Sequence, residues 1–61
     1  MSVAQAIARF RHAEQAEKAE FAGYADAVLD AGCYPSNWRF PPLRAAYLRG
    51  YERGIKERAA A

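Results

Sequence analysis

AYLRGYERGI, residues 46–55, sets glycines at 50 and 54 inside a segment that otherwise reads as a charged amphipathic helix. Glycine in a helix interior costs about 1 kcal/mol relative to alanine, so two of them need a compensating gain. A second stretch upstream indicates what that gain is. AEFAGYADAV, residues 19–28, aligns with the first without gaps at an offset of 27, sharing alanine, a large apolar residue, Gly-Tyr, a small residue and a β-branched apolar residue. Each copy carries an apolar triplet at i, i+3, i+7: Phe21, Tyr24 and Val28 in one, Leu48, Tyr51 and Ile55 in the other. Each also carries a small pair at i, i+4, Gly23 with Ala27 and Gly50 with Gly54. Small residues beside an apolar stripe let two helix backbones approach closely. The alternative is that they admit a nucleic-acid backbone or a partner.

Upstream of this repeat, Ser2 and Gln5 have capping-box spacing, and strong helix formers dominate the residues after them, with no proline before Pro35. The pattern predicts helix 1 over about residues 3–31, with Gly32 as its left-handed C-terminal cap. CYPSNWRFPP, residues 33–42, holds three prolines and reads as a connector, about 32–41. Pro42, or Pro41 before it, opens helix 2, which is expected to run to about residue 58. No stretch reads as a strand. The expected fold class is all-α, an antiparallel helical hairpin in a single domain over residues 1–61.

Matching the two triplets in antiparallel sense pairs residues whose numbers sum to 75 or 76. That register sets Glu17 opposite Arg58, an ion pair worth at most about 1 kcal/mol, and leaves Val3, Ile7 and Phe10 uncovered. The overhang has three resolutions: a break in helix 1 near residues 14–18, fraying of its first turns, or contact with a second copy or another protein. HAEQAEKAE, residues 12–20, contains no breaker, and a helix this long draws its stability from tertiary contacts. A homodimer through helix 1 is therefore expected, with Val3, Ile7 and Phe10 as the candidate protein interface.

A 61-residue chain buries only about 60% of its unfolded surface, so its core needs a supplement. The single cysteine, Cys33, excludes an internal disulfide, and the single histidine, His12, leaves no Cys/His zinc set. No cofactor or metal is expected. No apolar run approaches the roughly 18 residues of a membrane span, and the N-terminus lacks the pattern of a secretory signal. A cytoplasmic protein without a membrane partner is the expectation, in keeping with an unpaired cysteine.

Catalysis needs convergent groups, and none are evident. His12 reads as a solvated surface histidine, Cys33 as a small packed cysteine, and Glu14, Glu17 and Glu20 as a solvated face. The Gly-x-x-x-Gly of helix 2 lacks the strand and lysine of a phosphate loop. The chain is expected not to be an enzyme.

Binding chemistry is better represented. Residues 1–31 hold three cations against five acids, net −2, whereas residues 32–61 hold six against two, net +4. At about 100° per residue, Arg49, Arg53 and Lys56 share one sector of helix 2, and Arg39 and Arg44 extend it toward the connector. The connector adds Tyr34, Trp38 and Phe40. Aromatic rings beside arginines can stack on unpaired bases; the other reading is that they fold back to plug the end of the hairpin. The candidate nucleic-acid interface is Arg39, Arg44, Arg49, Arg53, Lys56 and Trp38.

Gly23-Tyr24 followed by small residues, Cys33-Tyr34-Pro35 in the connector, and Leu43-Arg44 with Tyr47-Leu48-Arg49-Gly50-Tyr51 on the second helix resemble the bacterial ribosome modulation factor family. The resemblance covers about residues 19–54. It implies a small two-helix protein that binds the small ribosomal subunit through ribosomal RNA and promotes inactive ribosome dimers in slow growth. Beside it stands a second reading, a protein-interaction module or inhibitor of phage or plasmid type that acts through the N-terminal face of helix 1 or the connector.

Overall fold

The computed structural model describes residues 2–60. It consists of helix α1 (Val3–Val28), a single 3-10 turn at Pro35–Asn37 and helix α2 (Pro41–Ala60). The all-α, two-helix class read from the sequence holds, and the described residues contain no strand.

Local chemistry explains each boundary. The Ser2 hydroxyl accepts from the Gln5 backbone N–H at 3.2 Å, and the Ser2 N–H donates to Gln5 Oε1 at 3.1 Å, so the capping box is complete. α1 ends at Val28, short of the expected residue 31, because Asp30 rather than Gly32 takes the left-handed cap, with φ 54°. The Ala31 N–H donates to the Asp26 carbonyl (2.9 Å) and the Asp30 N–H to that of Ala27 (3.3 Å), closing a Schellman motif. Aspartate is among the few residues other than glycine that visit this conformation readily. Gly32 also has a positive φ, 103°, but it serves the connector: a Cβ there would lie 2.7 Å from the Tyr34 hydroxyl. Pro41 and Pro42 occupy the first turn of α2, where a missing N–H costs nothing.

The relative sense of the helices departs from expectation. Contacts advance together along both chains. The His12 ring lies 5.2 Å from that of Phe40 at one end, Glu20 meets Arg53 in the middle, and at the other end Arg58 donates to the Ala27 carbonyl (3.1 Å) and to Asp30 (3.3 Å). The helices run parallel, so the antiparallel register expected above is replaced by one of nearly constant difference. Glu17 is exposed, and its expected pairing with Arg58 does not form.

The connector makes the parallel sense possible. Residues 12 and 28 of one helix are about 24 Å apart, and the dozen residues from 29 to 40 can span up to about 40 Å. The return path is anchored on α2, with the Tyr34 N–H donating to the Tyr47 hydroxyl at 3.0 Å and the Trp38 ring 6.4 Å from that of Tyr47.

This sense gives the 27-residue repeat its meaning, because equivalent positions now meet around an approximate two-fold axis. A Cβ on Gly23 would overlap the Tyr47 carbonyl oxygen, and one on Gly50 would overlap that of Glu20. Residues 20 and 47 are themselves one repeat apart. A Cβ on Gly54 would lie 2.6 Å from that of Ala27, its own repeat partner. Ala19, Gly23 and Ala27 thus pack against Ala46, Gly50 and Gly54, two rows of small residues at i, i+4 spacing. The apolar core comprises Ala19, Ala27, Leu43, Ala46 and Tyr47, with Ala16, Ala22 and Trp38 packed against it. Of the triplets expected to face each other, Phe21, Val28, Leu48 and Ile55 are exposed instead, Phe21 at 68%, while Tyr24 and Tyr51 are half-buried on the flanks of the crossing. Molecular extents of 45 × 21 × 13 Å describe one layer, two helices wide.

Candidate nucleic-acid and protein interfaces

Two lateral contacts flank the helix crossing, and they are repeat equivalents of one another. On the connector side the Tyr47 hydroxyl donates to the Asp26 carboxylate while accepting from the Tyr34 N–H. Burial, then the hydrogen bond to Asp26, pushes the Tyr47 hydroxyl up to about pKa 12. On the opposite side Arg53 lies 3.4 Å from Glu20 and 4.9 Å above the Tyr24 ring. The Tyr24 hydroxyl donates to Glu57, and that bond is the main cause of its raised pKa. The offset of 27 maps Asp26 onto Arg53 and Glu20 onto Tyr47, so one geometry is filled once by a phenol–carboxylate bond and once by an ion pair.

These contacts sort the candidate cations. Arg53 belongs to the crossing. Arg44 holds the connector, donating from Nε to the Trp38 carbonyl (3.3 Å) and from Nη2 to the Arg39 carbonyl (2.9 Å). Arg39, Arg49 and Lys56 are exposed and make no ion pair among the described residues. At about 100° per residue, Arg49 and Lys56 lie on the same flank of α2 as Arg53, whereas Arg44 lies on the other. The expected single stripe is therefore divided, with two of its five members committed to the scaffold.

The aromatic residues divide as well. Trp38 is half-buried against the core cluster, with Tyr47 its ring neighbour, while Tyr34 and Phe40 remain about half exposed, at 51% and 45%. Rings open to stacking are thus Tyr34 and Phe40. Phe40 also rests on His12, which is surface-exposed as expected. Cys33, expected to be packed, is exposed, because the connector crosses over Tyr47 through Tyr34 and Trp38 instead.

Val3, Ile7 and Phe10 lie on one continuous helix and are uncovered, at 76%, 49% and 66% exposure. The overhang persists despite the change of sense, because α2 now begins beside residue 12 and extends the other way. The same outer face continues through Phe21 and Val28. The repeat alone assigns those two to the interhelical contact; their seven-residue spacing with Ile7 is the signal of a common face.

Among the described residues no group of three or more His, Cys, Asp or Glu side chains is placed to hold a metal ion. No described helix is long and apolar enough to cross a membrane. The depressions along α1, one lined by Ala4, Ile7, Arg11 and His12 and the other by Glu14, Glu17, Lys18 and Phe21, are open and shallow. No protein-family model, curated protein or solved structure matches this chain.

Proposed function

We propose that this chain is a small, non-enzymatic RNA-binding protein of ribosome-modulation type, acting on cytoplasmic ribosomes. It engages ribosomal RNA with Arg39, Arg49 and Lys56 on phosphates and with Tyr34 and Phe40 on unstacked bases. The observation that supports this reading is the division of cations: these three stand exposed and make no ion pair among the described residues, Arg39 lies in a connector that leaves two rings about half exposed, and Arg49 and Lys56 line the opposite flank of α2. The resemblance adds to it. Gly23, Gly50 and Tyr34, which carry that resemblance, are the residues that close the crossing and anchor the connector.

Phosphate neutralisation supplies most of the affinity of such a binder and makes it depend on salt. Three phosphate contacts on single-stranded RNA give a loss of about 20-fold between 50 and 200 mM salt. Co-sedimentation with ribosomes across that range, with an Arg49→Ala/Lys56→Ala double variant, tests the proposal. The double variant is expected to bind more weakly and to retain about one third of the salt slope. Binding that is absent, or that ignores salt, overturns the reading.

Exposure of Val3, Ile7 and Phe10 favours a second reading, a protein-interaction module or inhibitor. A pull-down from lysate with and without nuclease separates the two, since only RNA-mediated capture is lost on digestion.

A further inference from the structure

From the outer face of α1 we infer that a second copy of this chain docks there, antiparallel, with residue numbers across the interface summing to 31. Val3, Phe10, Glu17 and Tyr24 form one seven-residue series, and Ile7, Glu14, Phe21 and Val28 the other. Together they have the a/d spacing of a coiled-coil seam. The seam points away from α2 at Phe10, Phe21 and Val3, which are 66%, 68% and 76% exposed, while Tyr24, half-buried at its edge, also reaches Arg53 and Glu57 of α2.

Three observations select a second copy as the occupant. The first is area. A monomer of 6.8 kDa is expected to expose about 4000 Å², yet this one exposes 4619 Å². The excess, about 600 Å², is about three quarters of the roughly 800 Å² that each partner contributes to a standard interface.

The second is self-complementarity. Summing to 31 sets Val3 against Val28, Ile7 against Tyr24 and Phe10 against Phe21 of the second copy, and closes every apolar position of both series. A shift of seven residues either way sets a glutamate against a phenylalanine or an isoleucine.

The third is charge. Glu14 and Glu17 meet their counterparts only at the centre, and Lys18 of each copy falls within one residue of the other's Glu14. Polar residues in a seam specify register at a cost in stability, which is the role assigned to these glutamates.

Sedimentation equilibrium of the full chain without RNA tests the interface. The expected mass is twice 6.8 kDa, and Phe10→Asp or Phe21→Asp is expected to weaken self-association by on the order of 100-fold. Both side chains are exposed in the monomer, so helicity measured by circular dichroism is expected to stay unchanged. A Glu14→Leu/Glu17→Leu variant is expected to associate more tightly. Register is read by mixing Val3→Cys and Val28→Cys chains, each carrying Cys33→Ser: disulfides are expected between the two variants and not within either. A monomeric mass up to millimolar concentration, which leaves the face to a different protein, overturns the inference, as does self-linking of either cysteine variant alone.

Discussion

Toward α2, helix α1 presents Ala16, Ala19, Gly23 and Ala27; away from it, the same helix presents Val3, Ile7, Phe10, Phe21 and Val28. The small side chains are inside and the large ones outside, the reverse of an ordinary amphipathic helix. Such an inversion means that backbone proximity holds this fold more than side-chain volume does. Where Gly23 faces the Tyr47 carbonyl and Gly50 that of Glu20, no space exists for even a methyl group. Close approach collects many weak dispersion contacts and excludes water from the crossing without any large apolar residue except Leu43 and Tyr47. The large residues are left on the outer surface.

The inner face is most vulnerable at its glycines. Gly50→Ala or Gly23→Ala gains about 1 kcal/mol in helix propensity but forces the backbones apart, and overpacking of this kind typically costs about 1–3 kcal/mol or more. A chain of 61 residues has only about 3–9 kcal/mol of stability. The clash is with backbone oxygens that cannot turn aside, so the cost is expected at or beyond the upper end of the overpacking range, and thermal melts are expected to shift markedly downward. A variant as stable as the parent would show that side-chain contacts carry the crossing.

Tyr47→Phe comes next. It removes the acceptor of the Tyr34 N–H and the donor to Asp26, at an expected cost of about 1–3 kcal/mol. A pH dependence arises from the raised pKa. The folded state favours the neutral phenol, so the stability Tyr47 contributes is complete below its ordinary value of 10.0 and is lost as pH rises toward about 12. Denaturation profiles between those limits are expected to fall for the parent more steeply than for Tyr47→Phe.

A smaller effect is expected on the opposite flank. The side chains of Arg53 and Glu20 are 54% and 35% exposed, and Arg53→Ala is expected to cost at most about 1 kcal/mol, less as salt is raised. Measured together, Arg53→Ala and Tyr47→Phe weigh the two repeat-related contacts against each other. On the outer face, Phe21→Ser is expected to stay within about 0.5 kcal/mol of the parent in dilute solution. A larger loss would mean that Phe21 packs within the monomer and the outer face is not free.

Much of the fold is legible in the sequence. Ser2 with Gln5, the prolines of the connector and the 27-residue repeat locate both helices and the turn chemistry between them. The relative sense is not, because a connector of this length permits either a short turn or a return along the helices. The repeat holds the answer: like segments that pair around a two-fold axis with their equivalent positions meeting do so in parallel. Assigning the large triplets to the contact conceals it, since volume is the usual guide to burial. The candidate site divides for the same reason. Arg44 and Arg53 look as free as Arg49 and Lys56 along the sequence, and only the positions of the Trp38 and Arg39 carbonyls and of Glu20 distinguish them.

The helices, their N-terminal caps, the overhang of Val3, Ile7 and Phe10 and the surplus of cations after residue 31 are written in the chain itself, because local propensity, spacing and charge are properties of the chain. Only the packed molecule settles that the helices run parallel, that glycines rather than phenylalanines meet at the crossing, and that, of the five candidate cations, Arg44 and Arg53 are the ones committed to the scaffold. Close approach is a property of two backbones together: whether a glycine is a defect or a contact depends on what lies within 4 Å of it.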